Sequence, residues 1–268
     1  MSKTMYDLMV FDLDGTLLAT IEDIAHTYRL ACKDFGFPLP PTKEVTNWIG
    51  KGHEAAITEC YAWLRRELLQ DKANFPCLAD KPELAQADVD TIHEQLLKTR
   101  PEFTKVHTGY YDLYGNTNIS LFPGVRKSLE RLKAQGVKLA VLTNKPKFLT
   151  PAALERVGIY ELFDAVYADG DLQNNKPHPE GILRHMENFG VIDKQRVLMV
   201  GDSENDIKAG LAAQVQVLGL TYGYNYGKDI ALSNPTYVSD HFAAVVALNE
   251  DLPLVGQEFT DLVIALEA

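Results

Sequence analysis

This chain predicts an α/β fold, a parallel-sheet domain interrupted after its first strand by a helical insertion. Three observations carry that prediction. From Gly124 onward, helical patterns alternate with short β-rich runs: "VRKSLERLKAQG" then "VKLAVLT", "PAALERVG" then "DAVYA", "PEGILRHMENFG" then "RVLMV", and "ENDIKAGLAAQ" then "VQVLGL". Such alternation means βαβ units and a parallel sheet. "LMVF" at residues 8 to 11 reads as a further buried strand, yet no crossover helix and second strand follow it within the usual distance. Residues from about 20 to 118 look helical almost throughout.

Taken in order, the first strand runs into "DLDGT" at residues 12 to 16. The insertion opens with Thr20 and Asp23 at capping-box spacing and an apolar stripe of Ile21, Ile24, Ala25, Tyr28, Ala31 and Phe35. Gly36 and "FPLPP" end that helix. Further helical patterns cover about 53 to 70 and 83 to 99, and Pro101 and "YGNTN" punctuate the return. The expected division is therefore residues 1–18 and 119–268 for the sheet domain and 19–118 for a helical cap. The closing "DLVIALEA" fits a docking helix, a frayed tail or a dimer contact equally well.

Composition bounds the function. Apolar residues make up 46% of the 268, enough for a sizeable core, and the formal charge is −11. That charge argues against a surface built for nucleic acid or for acidic lipid headgroups, so any anionic ligand must meet local cations. Cys32, Cys60 and Cys77 follow no metal-ligand spacing and read as free thiols in a reducing compartment. Asp7 and Asp12 arrive too early for a leader's apolar region, and no stretch approaches the roughly 18 apolar residues of a membrane span. A cytoplasmic, non-membrane protein is expected, a monomer or small homo-oligomer.

Side chains two apart in a strand share a side, so Asp12 and Asp14 leave the first strand together with Leu13 turned away. They emerge at the carboxyl end of a strand, where α/β sheets bind ligands. Two such charges about 4 Å apart at an effective dielectric near 20 cost about 4 kcal/mol, so a proton or a cation must settle the repulsion. A second acidic pair follows in "VLMVGDSENDIKAG", where a buried strand runs into Gly201 and Asp202, with Asp206 one helical turn on. Hard oxygen ligands of this kind suit Mg²⁺, which commonly bridges carboxylates to a substrate phosphate. Between the two pairs lie "AVLTNK", with Thr143, Asn144 and Lys145, and "NNKPHP", with Lys176. A hydroxyl, an amide and ammonium groups are what a tetrahedral phosphate needs. With that charge offset, one carboxylate can attack phosphorus while the other handles the proton.

In order and context, Asp12-x-Asp14-Gly15-Thr16, Thr143, Lys176 and Gly201-Asp202-x-x-x-Asp206 resemble the four motifs of the haloacid dehalogenase superfamily. The resemblance covers the whole sheet domain. It implies a Rossmann-like parallel-sheet core with an inserted mobile cap that selects the substrate. It further implies Asp12 as nucleophile, Asp14 as general acid and base, and Thr143 and Lys176 on the phosphoryl group. Mg²⁺ would be bound by the Asp12 carboxylate, the Asp14 backbone carbonyl and Asp202, with Asp206 in support or as a direct ligand.

A finer likeness joins "WIGKGHEAAITECYAWLR", "LFPGV", "TNKP", "NKPHP" and above all "LGLTYGYNYGKDI", which resemble the bacterial phosphoglycolate phosphatases. It implies hydrolysis of a small phosphorylated substrate, 2-phosphoglycolate, to glycolate and phosphate. Two departures stand out. "DGTLLAT" places Ala19 where that family usually has an acidic or amide residue, and Lys51 lies between Gly50 and Gly52 where an uncharged residue is common. Gly50, Lys51 and Gly52 are accordingly the expected specificity loop, with Lys51 meeting a substrate carboxylate. Tyr222, Tyr224 and Tyr226 read as packing and loop definition. The same aspartates would also serve a phosphatase for a sugar phosphate, nucleotide or pyrophosphate, or a phosphomutase whose cap excludes water.

Overall fold

The computed structural model describes residues 4–268, and its chain divides into two compact units. The first comprises residues up to Ala19, the short segment Gly50–Gly52, and Ile119–Ala268; the second comprises Thr20–Ile49 and His53–Asn118. The expected cap boundaries differ in two respects: Ala19, expected in the cap, groups with the sheet unit, and so does Gly50–Gly52, inside the insertion in sequence.

The sheet unit is built on six parallel strands, β1 (Leu8–Phe11), β4 (Lys138–Pro146), β5 (Ala165–Asp169), β6 (Val197–Gly201), β7 (Gln216–Leu220) and β8 (Tyr237–Ser239), in the order β5-β4-β1-β6-β7-β8. A separate antiparallel ribbon joins β2 (Leu18–Ala19) to β3 (Ser120–Leu121), clasping the two points at which the insertion leaves and rejoins.

Alternation along the strands divides the core between the two faces. Met9, Phe11, Leu139, Val141, Leu198, Val200 and Leu218 pack with the helices Val125–Ala134, Ala244–Asn249 and Gln257–Glu267. Leu8, Val10, Ala140, Leu142, Val197, Met199 and Val217 pack with Glu180–Phe189 and Glu204–Ala213. Burial on both faces explains why these strands read as continuous apolar runs. The C-terminal segment is a docking helix, with Phe259, Leu262 and Leu266 in the core.

The second unit is helical: Ile21–Asp34, Thr42–Thr46, His53–Gln70, Pro82–Gln86, Val89–Leu97 and Arg100–Tyr114. The pattern expected over 83 to 99 is broken between Gln86 and Val89, where Asp88 caps the second piece by accepting from Thr91 N. The capping box at Thr20 and Asp23 does not form. Asp23 instead accepts from the backbone N–H and side-chain amide of Asn118, at 2.7 and 3.0 Å. Two donors from the end of the insertion outcompete one from its start. Aromatic rings fill the middle of this unit, among them Tyr28 and Trp48 at 5.0 Å and Phe37 and Phe103 at 5.9 Å between centroids. No helix among the described residues is long and apolar enough to cross a membrane.

Candidate active site

The strand order sets β4, β1 and β6 side by side, so the residues that follow them in the chain converge at one edge of the sheet. Asp12 continues β1, its N–H donating to Val200 O at 2.9 Å. Asp202 follows β6, and Asp206 lies in the first turn of the helix Glu204–Ala213. One oxygen from each of Asp12, Asp202 and Asp206 lies within 4.8 Å of the others, and all three residues are buried.

Lys176 sits at the centre of this acidic group. Its Nζ donates to Asp12 Oδ1 at 2.6 Å and to Asp206 Oδ1 at 2.7 Å, with its side chain only 2% exposed. Burial alone would push the ammonium down, but the two carboxylates outweigh it and the group is raised above its ordinary value. Burial pushes the Asp12 carboxyl up; Lys176 pulls the other way and Asp206 pushes again, leaving Asp12 at about 7. Asp202 is held well above the usual carboxylate range, first by burial and then by the Asp12 and Asp206 carboxylates.

The remaining oxygens of Asp206 and Asp202 are each fixed by a local donor. Asp206 Oδ2 accepts from Ser203 N and Oγ at 3.0 and 2.8 Å, the reciprocal cap that starts its helix. Asp202 Oδ1 accepts from Thr16 Oγ1 and Oδ2 from Tyr224 N, both at 2.5 Å. The latter contact needs Gly223, because a Cβ there would overlap the Asp202 side chain. Three clustered carboxylates with one ammonium leave two negative charges in a buried space if all are ionised, and a divalent cation fits that donor set.

Asp14 stands outside this group. Its carboxylate faces Lys145, whose Nζ lies 3.3 Å from both oxygens. The crowding expected between Asp12 and Asp14 is therefore found among Asp12, Asp202 and Asp206, since Asp12 and Asp14 face different lysines.

Thr143 is buried, and its hydroxyl accepts from Lys145 N at 3.1 Å, leaving its proton to donate. Asn144, expected on phosphate, is engaged elsewhere. Its Nδ2 donates to Lys176 O at 2.8 Å and to Gly50 O at 2.9 Å, and its Oδ1 accepts from Lys176 N at 3.0 Å. With both donors and its acceptor committed, this amide clasps the segment that presents Lys176.

The Gly50–Gly52 segment is tied to the same unit. Gly50 O accepts from Asn144 and also from Asn205 Nδ2 at 3.0 Å, while Asn205 reaches Tyr226 Oη at 3.0 Å. Gly50 has φ +97°, and a Cβ on it would press on the Tyr226 hydroxyl, so this position calls for glycine. Lys51 Nζ lies 4.4 Å from the centre of the Tyr226 ring.

Sequence reasoning missed Thr16, Ser203, Asn205 and the Tyr224 N–H. The first two stand inside the motifs that were read, while a backbone donor leaves no mark beyond the adjacent Gly223.

A model of the haloacid dehalogenase-like hydrolase family matches residues 9–220. The chain belongs to the haloacid dehalogenase-like hydrolases. Among curated relatives, a phosphoglycolate phosphatase of Pasteurella multocida is 37% identical over 250 residues, covering 92% of this chain and all of that one. A phosphoglycolate phosphatase of Salmonella choleraesuis is 35% identical over 253 residues, covering 94% of each. A crystal structure described as a predicted phosphoglycolate phosphatase from Haemophilus somnus aligns with a TM-score of 0.77 at 33% identity, covering 91% of this chain and 98% of that one. Within this haloacid dehalogenase-like hydrolase, every motif position from Asp12 to Asp206 falls inside the matched span.

Proposed function

We propose that this hydrolase is a Mg²⁺-dependent phosphatase that converts 2-phosphoglycolate to glycolate and phosphate through phospho-Asp12. The observation that carries the reading is the buried Asp12 with Oδ1 on the Lys176 ammonium and Oδ2 left for attack, beside Asp202 and Asp206. The names of the two curated relatives supply the choice of substrate.

Asp12, Asp202 and the Asp14 backbone carbonyl would hold Mg²⁺, which supplies Lewis-acid charge compensation for the phosphoryl oxygens. Lys176 adds a fixed positive charge beside the attacking carboxylate and so lowers the cost of bringing two anions together. The Thr143 hydroxyl donates to a phosphoryl oxygen. Asp12 Oδ2 forms a bond to phosphorus as the ester P–O bond breaks, and Asp14 gives its proton to the departing glycolate oxygen. Water then attacks the same phosphorus, Asp14 takes a proton from it, and the P–O bond to Asp12 breaks, restoring the carboxylate. Asp206 keeps Lys176 in place rather than touching substrate. Lys51, anchored between Gly50 and Gly52, is the cation assigned to the substrate carboxylate.

The test is phosphate release from a panel of small phosphoesters, with Mg²⁺ and with a chelator. The expected result is chelator-sensitive hydrolysis with the highest kcat/KM for 2-phosphoglycolate, and Lys51→Met raising KM about tenfold for that ester but not for ethyl phosphate, which lacks the carboxylate. Equal or better turnover of sugar phosphates, nucleotides or pyrophosphate would overturn the substrate, and turnover unaffected by the chelator would overturn the metal.

A further inference from the structure

We propose that Lys145 is the positioning residue for Asp14, turning the carboxyl toward the oxygen that leaves. The inference rests on the reading of Asp14 as general acid and of Asp12 as nucleophile.

Lys145 lies near the end of β4, which is hydrogen-bonded to β1 on one side, with Val141 paired to Phe11. Consecutive side chains at this strand end serve different partners. Asn144 holds the backbone of Lys176, the lysine on the nucleophile, and Lys145 holds Asp14. The Lys145 side chain is 0% exposed and that of Asp14 10%. An ammonium removed from water to this degree needs an anionic neighbour, so the contact is not an incidental surface pair.

The geometry also distinguishes this lysine from Lys176. Lys176 grips one oxygen of Asp12 at 2.6 Å, whereas Lys145 straddles both oxygens of Asp14 at 3.3 Å. Symmetric contact at that length fixes the direction of the carboxyl plane. It is looser than the 2.7–2.9 Å of a full charge-assisted bond, as expected of an ammonium shared between two oxygens. The role is therefore orientation of a proton donor, which sequence alone would assign to phosphate.

A leaving-group experiment separates these roles. For a two-step phosphatase, kcat/KM reports transfer to Asp12, the step in which the leaving oxygen needs a proton. An alkyl phosphate such as 2-phosphoglycolate depends on that proton, and p-nitrophenyl phosphate, with a stable phenolate leaving group, does so far less. In Asp14→Asn, kcat/KM should fall about 10²- to 10⁴-fold for the alkyl ester and much less for the aryl ester. In Lys145→Met the same split should appear at about 10- to 100-fold against about threefold or less, with KM little changed. The double variant should be no slower on the alkyl ester than Asp14→Asn alone. Lys145→Gln, which keeps an N–H donor toward Asp14, should recover part of the loss, and it carries the test if the methionine variant does not fold.

A split in Asp14→Asn with equal losses on both esters in Lys145→Met and Lys145→Gln would overturn the role of Lys145 while leaving the acid in place. A rise in KM shared by both esters would make Lys145 a phosphate ligand and likewise overturn it. Absence of a split in Asp14→Asn would remove the acid assignment and the proposal with it.

Discussion

At the scale of single residues, the site is a problem of buried charge. Asp12 and Asp206 share Lys176 with Asp202 close by, and burial together with mutual repulsion raises Asp12 to about 7 and Asp202 well above its ordinary value. An acid whose folded value is raised contributes stability that is present below its unfolded value and is lost as pH rises through the folded one. The metal-free protein should therefore lose stability between about pH 4 and pH 7 on account of Asp12. Asp202→Asn relieves part of the repulsion without breaking the local bonds, because an amide oxygen can accept from Tyr224 N and the Thr16 hydroxyl can turn to accept from the amide. In the absence of metal that variant should be more stable than the parent at pH 7, by on the order of 1 kcal/mol or more. Thermal unfolding with and without Mg²⁺ checks this: Mg²⁺ should stabilise the parent and leave the variant nearly unmoved. A less stable metal-free variant would mean that the carboxylate is not under strain.

At the scale of elements, a strand and its neighbours decide which side chains meet, and this is where the sequence was legible only in part. Asp12, Lys176, Asp202 and Asp206 could be placed because each follows a recognisable strand or opens a helix. The partner of Lys145 could not, since a run of residues does not disclose that β4 lies directly against β1. Asn144 reads as a phosphate ligand in sequence, and its side-chain donors go to Lys176 O and Gly50 O. Gly50–Gly52 lies in a helical insertion by sequence and with the sheet unit by contact, through Asn144 and Asn205. The helix Glu180–Phe189 carries a feature that no pattern announced. His185 is fully buried, its Nε2 within 3.0 Å of Val141 O, and its Nδ1 has no hydrogen-bond partner. Burial lowers it to about 4, the bond to Val141 pulling the other way. A base depressed in the folded state stabilises at high pH, and that contribution is lost as pH falls from about 6.5 toward 4. The full shift corresponds to about 3 kcal/mol. Unfolding measured across this range should show the parent losing stability toward pH 4 relative to His185→Gln, which has no proton to gain. Parallel pH profiles would contradict it.

At the scale of the whole molecule, the chain combines a parallel sheet that gathers four charged positions with an insertion that begins after β2 and ends before β3. The alternating pattern after Gly124 made the sheet readable, while the two-residue strands of the β2–β3 ribbon were too short to signal themselves. A net charge of −11 makes a concentrated set of cations necessary for any anionic substrate, and Lys145 and Lys176 are both buried beside the aspartates. The central claim is that phosphate passes through Asp12, and the most direct measurement is a rapid-quench experiment with 2-phosphoglycolate labelled in its phosphoryl group. The label should appear on the protein within the first turnover as an acyl phosphate cleaved by hydroxylamine, should map to the peptide containing Asp12, and should be missing from Asp12→Asn. Turnover with no protein-bound label, or label that persists in Asp12→Asn, would contradict the account.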